Sequence, residues 1–182
     1  MAKEKSKYKL TQINSKRRFL KTKLSPKCSD LIKIHEDNLT AENQSGYKTV
    51  CSDTGTISTQ YFEINVIKSV GIRIGFIQSD AEMNGPIGID SKGYSYGNVN
   101  GYKFFNSIRR KYGCSFKEKD IIGALLYRES GTSFIKFYKN GKDLGVAFYN
   151  IPHELFYPAV SLYGGSVVNF NFGPYFAYPL DN

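Results

Sequence analysis

The sequence predicts an all-β protein, a two-sheet antiparallel β-sandwich with a basic N-terminal tail. Three observations carry this reading. Short runs from Leu31 onward alternate apolar and polar residues, the period of a half-buried strand. Aromatic residues make up 15% of the chain, all Tyr and Phe, beside 17 glycines, a composition suited to pleated strands and tight turns. No long stretch carries the helical period, so about ten strands packed as two layers account for the pattern.

Along the chain, Met1 to Lys27 comes first. This segment holds ten Lys and Arg residues against Glu4 alone, whereas residues 28–182 balance 15 basic against 15 acidic residues. The whole excess of +9 therefore lies in the tail. With few apolar residues and little period, the tail (1–27) is expected to be flexible, with at most a short helix over Ser15 to Lys23, and the sandwich is expected over 28–182. Leu31 to His35 alternates, as does Tyr61 to Ile67. Gly71 to Gln78 puts Ile72, Ile74 and Phe76 on one face and Arg73 on the other. Gly85 to Gly101, rich in Gly, Ser, Asn and Tyr, reads as a long ordered loop with short strand pieces. Ile121 to Tyr127 is nearly all apolar and suits a central strand.

Phe134 to Pro174 predicts two hairpins. In the first, Asn140-Gly141 separates two alternating runs, which favours a type I′ turn with positive φ at both residues. Gly164-Gly165 offers a second tight turn, after which Val168, Phe170 and Phe172 share one face and Asn169 and Asn171 the other.

The chemistry of catalysis is missing. His35 and His153 are the two histidines, and neither has metal-ligand spacing with Cys or carboxylates. Gly71 and Gly75 flank Arg73 in a strand pattern with no helix after it, so they do not cradle a phosphate. No nucleophile elbow, paired carboxylates or Cys-His context is found. Cys28, Cys51 and Cys114 are odd in number and far apart, which predicts a reducing intracellular compartment, with Cys51 and Cys114 read as small packing residues. No signal peptide and no span of roughly 18–20 apolar residues occurs, so no membrane partner is expected. The expectation is a protein that is not an enzyme, with no catalytic residue, metal or cofactor.

From about Leu31 to Pro179 the chain resembles the SPRY (B30.2-like) family, a concanavalin-like jelly roll. Its motifs match one branch of that family in particular, the SPRY domains of the Ash-two (absent, small or homeotic discs two) type. The matching pieces are LTAENQSGYKTV, QYFEINV, IRIGF, PIGID, YSYGN, GYKF, IKFYKNGKDLGVAF and FYPAVSLY, with NFGPYFAYP near the end. The resemblance implies a non-catalytic, nuclear subunit of a COMPASS-type (mixed-lineage-leukaemia) complex that methylates lysine-four of histone H-three. In that family the SPRY domain binds an acidic-aromatic segment of the WD-repeat (retinoblastoma-binding-like) subunit and helps order the SET-domain enzyme, raising turnover by population shift.

Carried over residue by residue, the resemblance assigns peptide binding to Arg73, Tyr47 and Pro86. Arg73 would pair with partner carboxylates through its planar fork, the alternative being a solvated strand charge. Tyr47 is either a wall of the site or a core tyrosine, and Pro86 is a loop or turn proline. At three further positions the chain departs from the pattern. Ile89 replaces a tyrosine, and Gly97 and Val99 replace two basic loop residues. Arg73 is left with Lys92 or Lys103 as neighbouring charge, while Arg109, Arg110 and Lys111 read first as a solvated loop and second as replacement charge for the site. The expected partner segment is accordingly less acidic, or more apolar, opposite Ile89, Gly97 and Val99.

The family also has an N-terminal zinc-finger/winged-helix region and a C-terminal helix for a Dumpy-thirty dimer. The sequence does not display either, a naturally compact protein is favoured over a trimmed one, and binding of a Dumpy-thirty-like subunit is not expected. A tight turn over Glu129 to Ser133 replaces an internal insertion of many relatives. In the tail, Lys16, Arg17, Arg18, Lys21 and Lys23 read first as a nuclear-import signal, second as a contact to nucleosomal DNA with a log–log salt slope of roughly −4.5 for about five phosphates, and third as a solubilising extension. Phe19 and Leu20 are candidates to tuck against the sandwich. The alternative function is a generic SPRY peptide-recognition module, as in a ubiquitin-ligase or Ran-binding scaffold adaptor; a nucleic-acid binder rests on the tail alone.

Overall fold

A computed structural model describes residues 21–180. These residues form thirteen strands and no helix: β1 (Ile32–Ile34), β2 (Thr40–Asn43), β3 (Lys48–Cys51), β4 (Gln60–Lys68), β5 (Gly71–Ile77), β6 (Gly93–Gly97), β7 (Tyr102–Phe105), β8 (Ile108–Lys111), β9 (Ile121–Glu129), β10 (Thr132–Lys139), β11 (Lys142–Tyr149), β12 (Tyr157–Tyr163) and β13 (Ser166–Asn171). They build two antiparallel sheets. One runs β1-β2-β13-β4-β9-β10-β11 and the other β3-β12-β5-β6-β7-β8. The expected sandwich is observed, and its core fills the space between the sheets.

Alternation decides which residues enter that core. Ile72, Ile74 and Phe76 of β5 are fully buried, with Arg73 on the opposite, outer face. Facing them are Phe62 and Ile64 of β4, Ile122, Ala124 and Leu126 of β9, and Val168 and Phe170 of β13. Phe62 meets Phe76 edge-on across the core at 5.4 Å. The apolar run in β9 belongs where the sequence puts it, between β4 and β10 in the sheet interior.

The turn chemistry explains two connections and corrects a third. Asn140 and Gly141 take φ of 49° and 78°, the type I′ geometry expected of the β10–β11 hairpin. Ser130 and Gly131 make a similar two-residue turn between β9 and β10, where the insertion of other relatives was expected to be replaced. Gly164-Gly165 is tight, with φ of 63° and 95°, but it does not make a hairpin. β12 pairs with β3 and β5, and β13 pairs with β2 and β4, so the turn is an arch that carries the chain from one sheet to the other. A Gly-Gly pair permits both outcomes, because it sets the bend and not the partner.

Further differences lie at the edges. The boundary expected at residue 28 falls inside the packed body. Leu24 is 2% exposed within the main core, its amide bonds the Asn38 carbonyl, and the Ser25 amide bonds the Cys51 carbonyl. Leu24 is thus tucked against the sandwich; Phe19 and Leu20, expected to tuck there, lie outside the described residues. Cys114 is exposed and is not a packing residue, whereas Cys51 is half-buried. Burial pushes the Cys51 thiol up to about 12, with the nearby Cys28 and Asp53 adding to it. Arg109, Arg110 and Lys111 are solvated as expected, but they form an edge strand and not a loop.

Candidate peptide-binding site

The site sits on the outer face of the six-stranded sheet. Antiparallel register places Arg73 of β5 opposite Gly97 of β6 and Ser161 of β12, and Ser161 in turn opposite Thr49 of β3. On the far side, Ser95 of β6 faces Phe104 of β7, and Phe104 faces Arg109 of β8. Two neighbouring rows of outward side chains, two residues apart along the strands, thereby cross the sheet, with Arg73–Gly97 in one and Ser95–Phe104–Arg109 in the other.

Residues 78–92 fold back over part of this face. Ile77, Ile87 and Ala159 form a small second core there, with Met83, Ala81, Cys51 and Tyr157 packed against it. Buried hydroxyls from the strands pin the loop. Thr49 Oγ1 donates to the Gly85 carbonyl at 2.8 Å and lies 2.7 Å from Ser161 Oγ, which accepts from the Ile87 amide at 2.7 Å. Ser95 Oγ donates to the Ile87 carbonyl at 2.8 Å. Small hydroxyl residues inside otherwise apolar strands are the sequence signal for this anchoring, and it was not read from the sequence.

Arg73 emerges beside this loop. Its Nη1 donates to the Ile87 carbonyl at 3.1 Å. Its guanidinium carbon lies 3.6 Å from the centre of the Phe104 ring and 5.3 Å from that of Tyr47, within cation–π range. Burial lowers the guanidinium's pKa, and the Tyr47 hydroxyl opposes that shift; the group stays charged at neutral pH. Nε is buried and has no hydrogen-bond partner. The arrangement is a cation packed on Phe104 with Tyr47 nearby, one of its N–H groups tied to the loop.

Tyr47 lies outside the core clusters, on the same face as Arg73. It is half-buried, and its ring packs 5.1 Å from that of Tyr163, itself 45% exposed. Pro86 and Ile89 shape the loop rim: the Ile89 amide bonds the Pro86 carbonyl, and the Ile89 carbonyl accepts from Ser107 Oγ at the β7–β8 turn. Ile89 is 46% exposed. Val99, 55% exposed, stands in the β6–β7 turn at the opposite end of β7. Tyr47, Arg73 and Gly97 are therefore together, with Pro86 at the side and Ile89 and Val99 at the two ends.

Gly97 is a strand residue and not a loop residue. A Cβ there would come within 2.9 Å of the Phe104 ring and 3.7 Å of Arg73 Cγ. The missing side chain is what lets Phe104 lean onto Arg73. Phe104 and Tyr163 were both missed, because the sequence alone does not say which of two adjacent aromatics in YKFF faces out.

The neighbouring lysines do not join the site. Lys92 pairs with Asp80 at 3.2 Å. Lys103 points to the inner side, donating to the Ala147 carbonyl and lying 5.2 Å from the Phe148 ring. In the tail cluster, Lys21 and Lys23 are exposed; Lys16, Arg17 and Arg18 lie outside the described residues. His35 lies 3.4 Å from Glu42, and among the described residues no cluster of His, Cys, Asp and Glu fits a metal.

Residues 59–175 match the model of the SPRY domain. The chain is 28% identical over 196 residues to the Set1/Ash2 histone methyltransferase complex subunit ASH2 of Drosophila melanogaster, an alignment that takes in 81% of this chain and 35% of that protein. It is 36% identical over 118 residues to Ran-binding protein 9 of Danio rerio, covering 62% of this chain and 19% of that one. The chain thus spans about a third or less of the length of these curated relatives. Among solved structures, the SPRY domain of human HERC1 superposes with a TM-score of 0.69 at 20% identity, over 85% of this chain and 97% of that one.

Proposed function

The chain belongs to the SPRY domain family, and from that premise we propose that it is a non-catalytic adaptor subunit of a histone methyltransferase complex of the COMPASS type. The similarity to the fly Ash2 subunit along 81% of the chain supports this choice within the family. In this reading the protein works in the nucleus, binds an extended segment of the WD-repeat subunit, and stimulates the SET-domain enzyme on lysine-four of histone H-three. No group of its own enters the chemistry.

The observation that carries the reading is Arg73. A guanidinium held at 3.6 Å over Phe104 and tied by Nη1 to the Ile87 carbonyl is preorganised for an anionic group of a ligand. Tyr47, Tyr163 and Phe104 supply flat apolar surface beside it, and Pro86, Ile89, Gly97 and Val99 frame it. With Lys92 paired and Lys103 turned inward, Arg73 carries the charge at the centre of the face. The matching segment presents one carboxylate to Arg73 and apolar side chains to Ile89 and Val99.

Reconstitution with the same organism's SET and WD-repeat subunits tests this. Methylation of a histone H-three peptide rises when the chain is added. Arg73→Ala weakens the WD-repeat segment by at least about 30-fold, the cost of losing one partner of a desolvated charge pair, and abolishes most of the stimulation. Absence of stimulation by the unaltered chain rejects the proposal; stimulation undiminished by Arg73→Ala places the contact elsewhere. The second reading, a generic SPRY peptide-recognition adaptor, draws on the similarity to Ran-binding protein 9, and predicts segment binding at Arg73 with no effect on methylation. The tail residues Lys16, Arg17, Arg18, Lys21 and Lys23 are assigned to nuclear import and, second, to nucleosomal DNA. Deleting them redirects a fluorescent fusion to the cytoplasm while leaving segment binding intact.

A further inference from the structure

Strand β8 is the outer edge of the six-stranded sheet, and all four of its residues are exposed. It forms a hairpin with β7 through a two-residue turn, Asn106-Ser107, both at positive φ. In such a hairpin the pair flanking the turn, Phe105 and Ile108, is hydrogen-bonded. Alternation then points the N–H and C=O of Arg109 and Lys111 away from β7, to the free edge. No described residue accepts from or donates to those backbone groups.

The side chains on this edge share one sign. Arg109 and Lys111 lie on the outer face, in register with Phe104 and Tyr102, and Arg109 sits 5.4 Å from the Tyr102 ring. Arg110 turns to the inner side. There it lines a cavity of about 230 Å³ with Lys103, Phe105, Ile108 and Phe148. Ile108, 54% exposed, forms an apolar lip to that cavity. None of Arg109, Arg110 and Lys111 takes part in an ion pair among the described residues.

We propose that β8 is a second docking edge, where an acidic extended segment of a partner protein adds as a further strand. Its backbone pairs with Arg109 and Lys111, its outward acidic side chains meet the cations, and one apolar side chain enters the cavity beside Ile108. Charge selects this occupant. A second copy of β8 would oppose like charges directly across the ladder, which is unfavourable, and the protein's own basic tail is repelled for the same reason. The charges that block self-association at an open edge are the ones that attract an acidic strand. This inference does not rest on the role assigned to Arg73.

The test is fluorescence anisotropy with a labelled ten-residue peptide of alternating Glu and Val, using the full chain in low salt. The peptide saturates the unaltered protein. An analogue N-methylated at alternate residues, equal in charge but unable to complete a ladder, binds at least ten-fold more weakly. Arg109→Pro, which removes one outward N–H from an edge position that tolerates proline, binds at least five-fold more weakly than Arg109→Ala, with both variants verified as folded by circular dichroism. The comparisons are repeated in an Arg73→Ala background, which removes the carboxylate site on β5, and the same ratios hold there. Equal binding of the N-methylated peptide, no difference between the Pro and Ala variants, loss of binding in that background, or displacement of the peptide by oligo-dT at lower concentration than by unlabelled peptide would each overturn the proposal.

Discussion

Arg73 stands between Ile72 and Ile74 in an apolar strand, and alternation alone was enough to place it on the outer face. Its partner Phe104 was not legible, because the face of YKFF depends on strand register and register is fixed by pairing. Gly97 is the residue where this matters most. Gly97→Ala brings a methyl group against Phe104, lifts the ring from Arg73, and weakens the partner segment proposed above several-fold. Isothermal titration beside a thermal melt separates this from instability, since Tm changes little. The cysteines divide in the same local way. Burial raises Cys28 and pushes Cys51 up to about 12, so at pH 8 these thiols stay protonated and shielded, while exposed Cys114 does not share that shielding. Thiol titration of the native chain with an aromatic disulfide gives one fast equivalent, and Cys114→Ser removes it.

Among the elements, hairpin β10–β11 could be read from Asn140-Gly141 and its flanking alternation, whereas the arch between β12 and β13 could not. Strand β8 was also hidden, since Ile-Arg-Arg-Lys has no alternation to report and is held as a strand by its turn and by β7. The start of β9 is fastened by Asp120, which is 9% exposed. Burial pushes its carboxyl upward, but the Lys117 amide at 2.9 Å, Asn140 Nδ2 at 2.8 Å and Lys139 Nζ at 3.1 Å outweigh burial and leave it below the ordinary value. A depressed carboxyl stabilises the fold fully above its unfolded value, about 3.9, and that contribution is lost as pH falls through the folded value. Asp120→Asn therefore costs about 1–3 kcal/mol at pH 7, and the cost shrinks as pH falls through the folded value of the unaltered carboxyl. Urea melts of both proteins across the acid range measure the difference.

For the molecule as a whole, composition and alternation were enough to predict a two-layer β architecture, but not where it begins. Lys23 to Ser25 look like tail by charge, and only the packed structure shows that one leucine among them belongs to the core. Removing residues 1–20 should leave Tm within a few degrees. Removing residues 1–27 takes Leu24 as well, a loss comparable to a large-to-small core substitution of about 2–5 kcal/mol, which lowers Tm by roughly 5–15 °C; differential scanning calorimetry compares the two. The position of β13 has a consequence for biosynthesis. This strand is translated after every other strand described, yet it belongs between β2 and β4. Until it leaves the ribosome, the β1–β2 hairpin has no place in its sheet and β4 carries an open edge. The nascent chain must hold two sticky edges apart while it waits for its last strand, and that interval is when it is most exposed to aggregation and most in need of a chaperone.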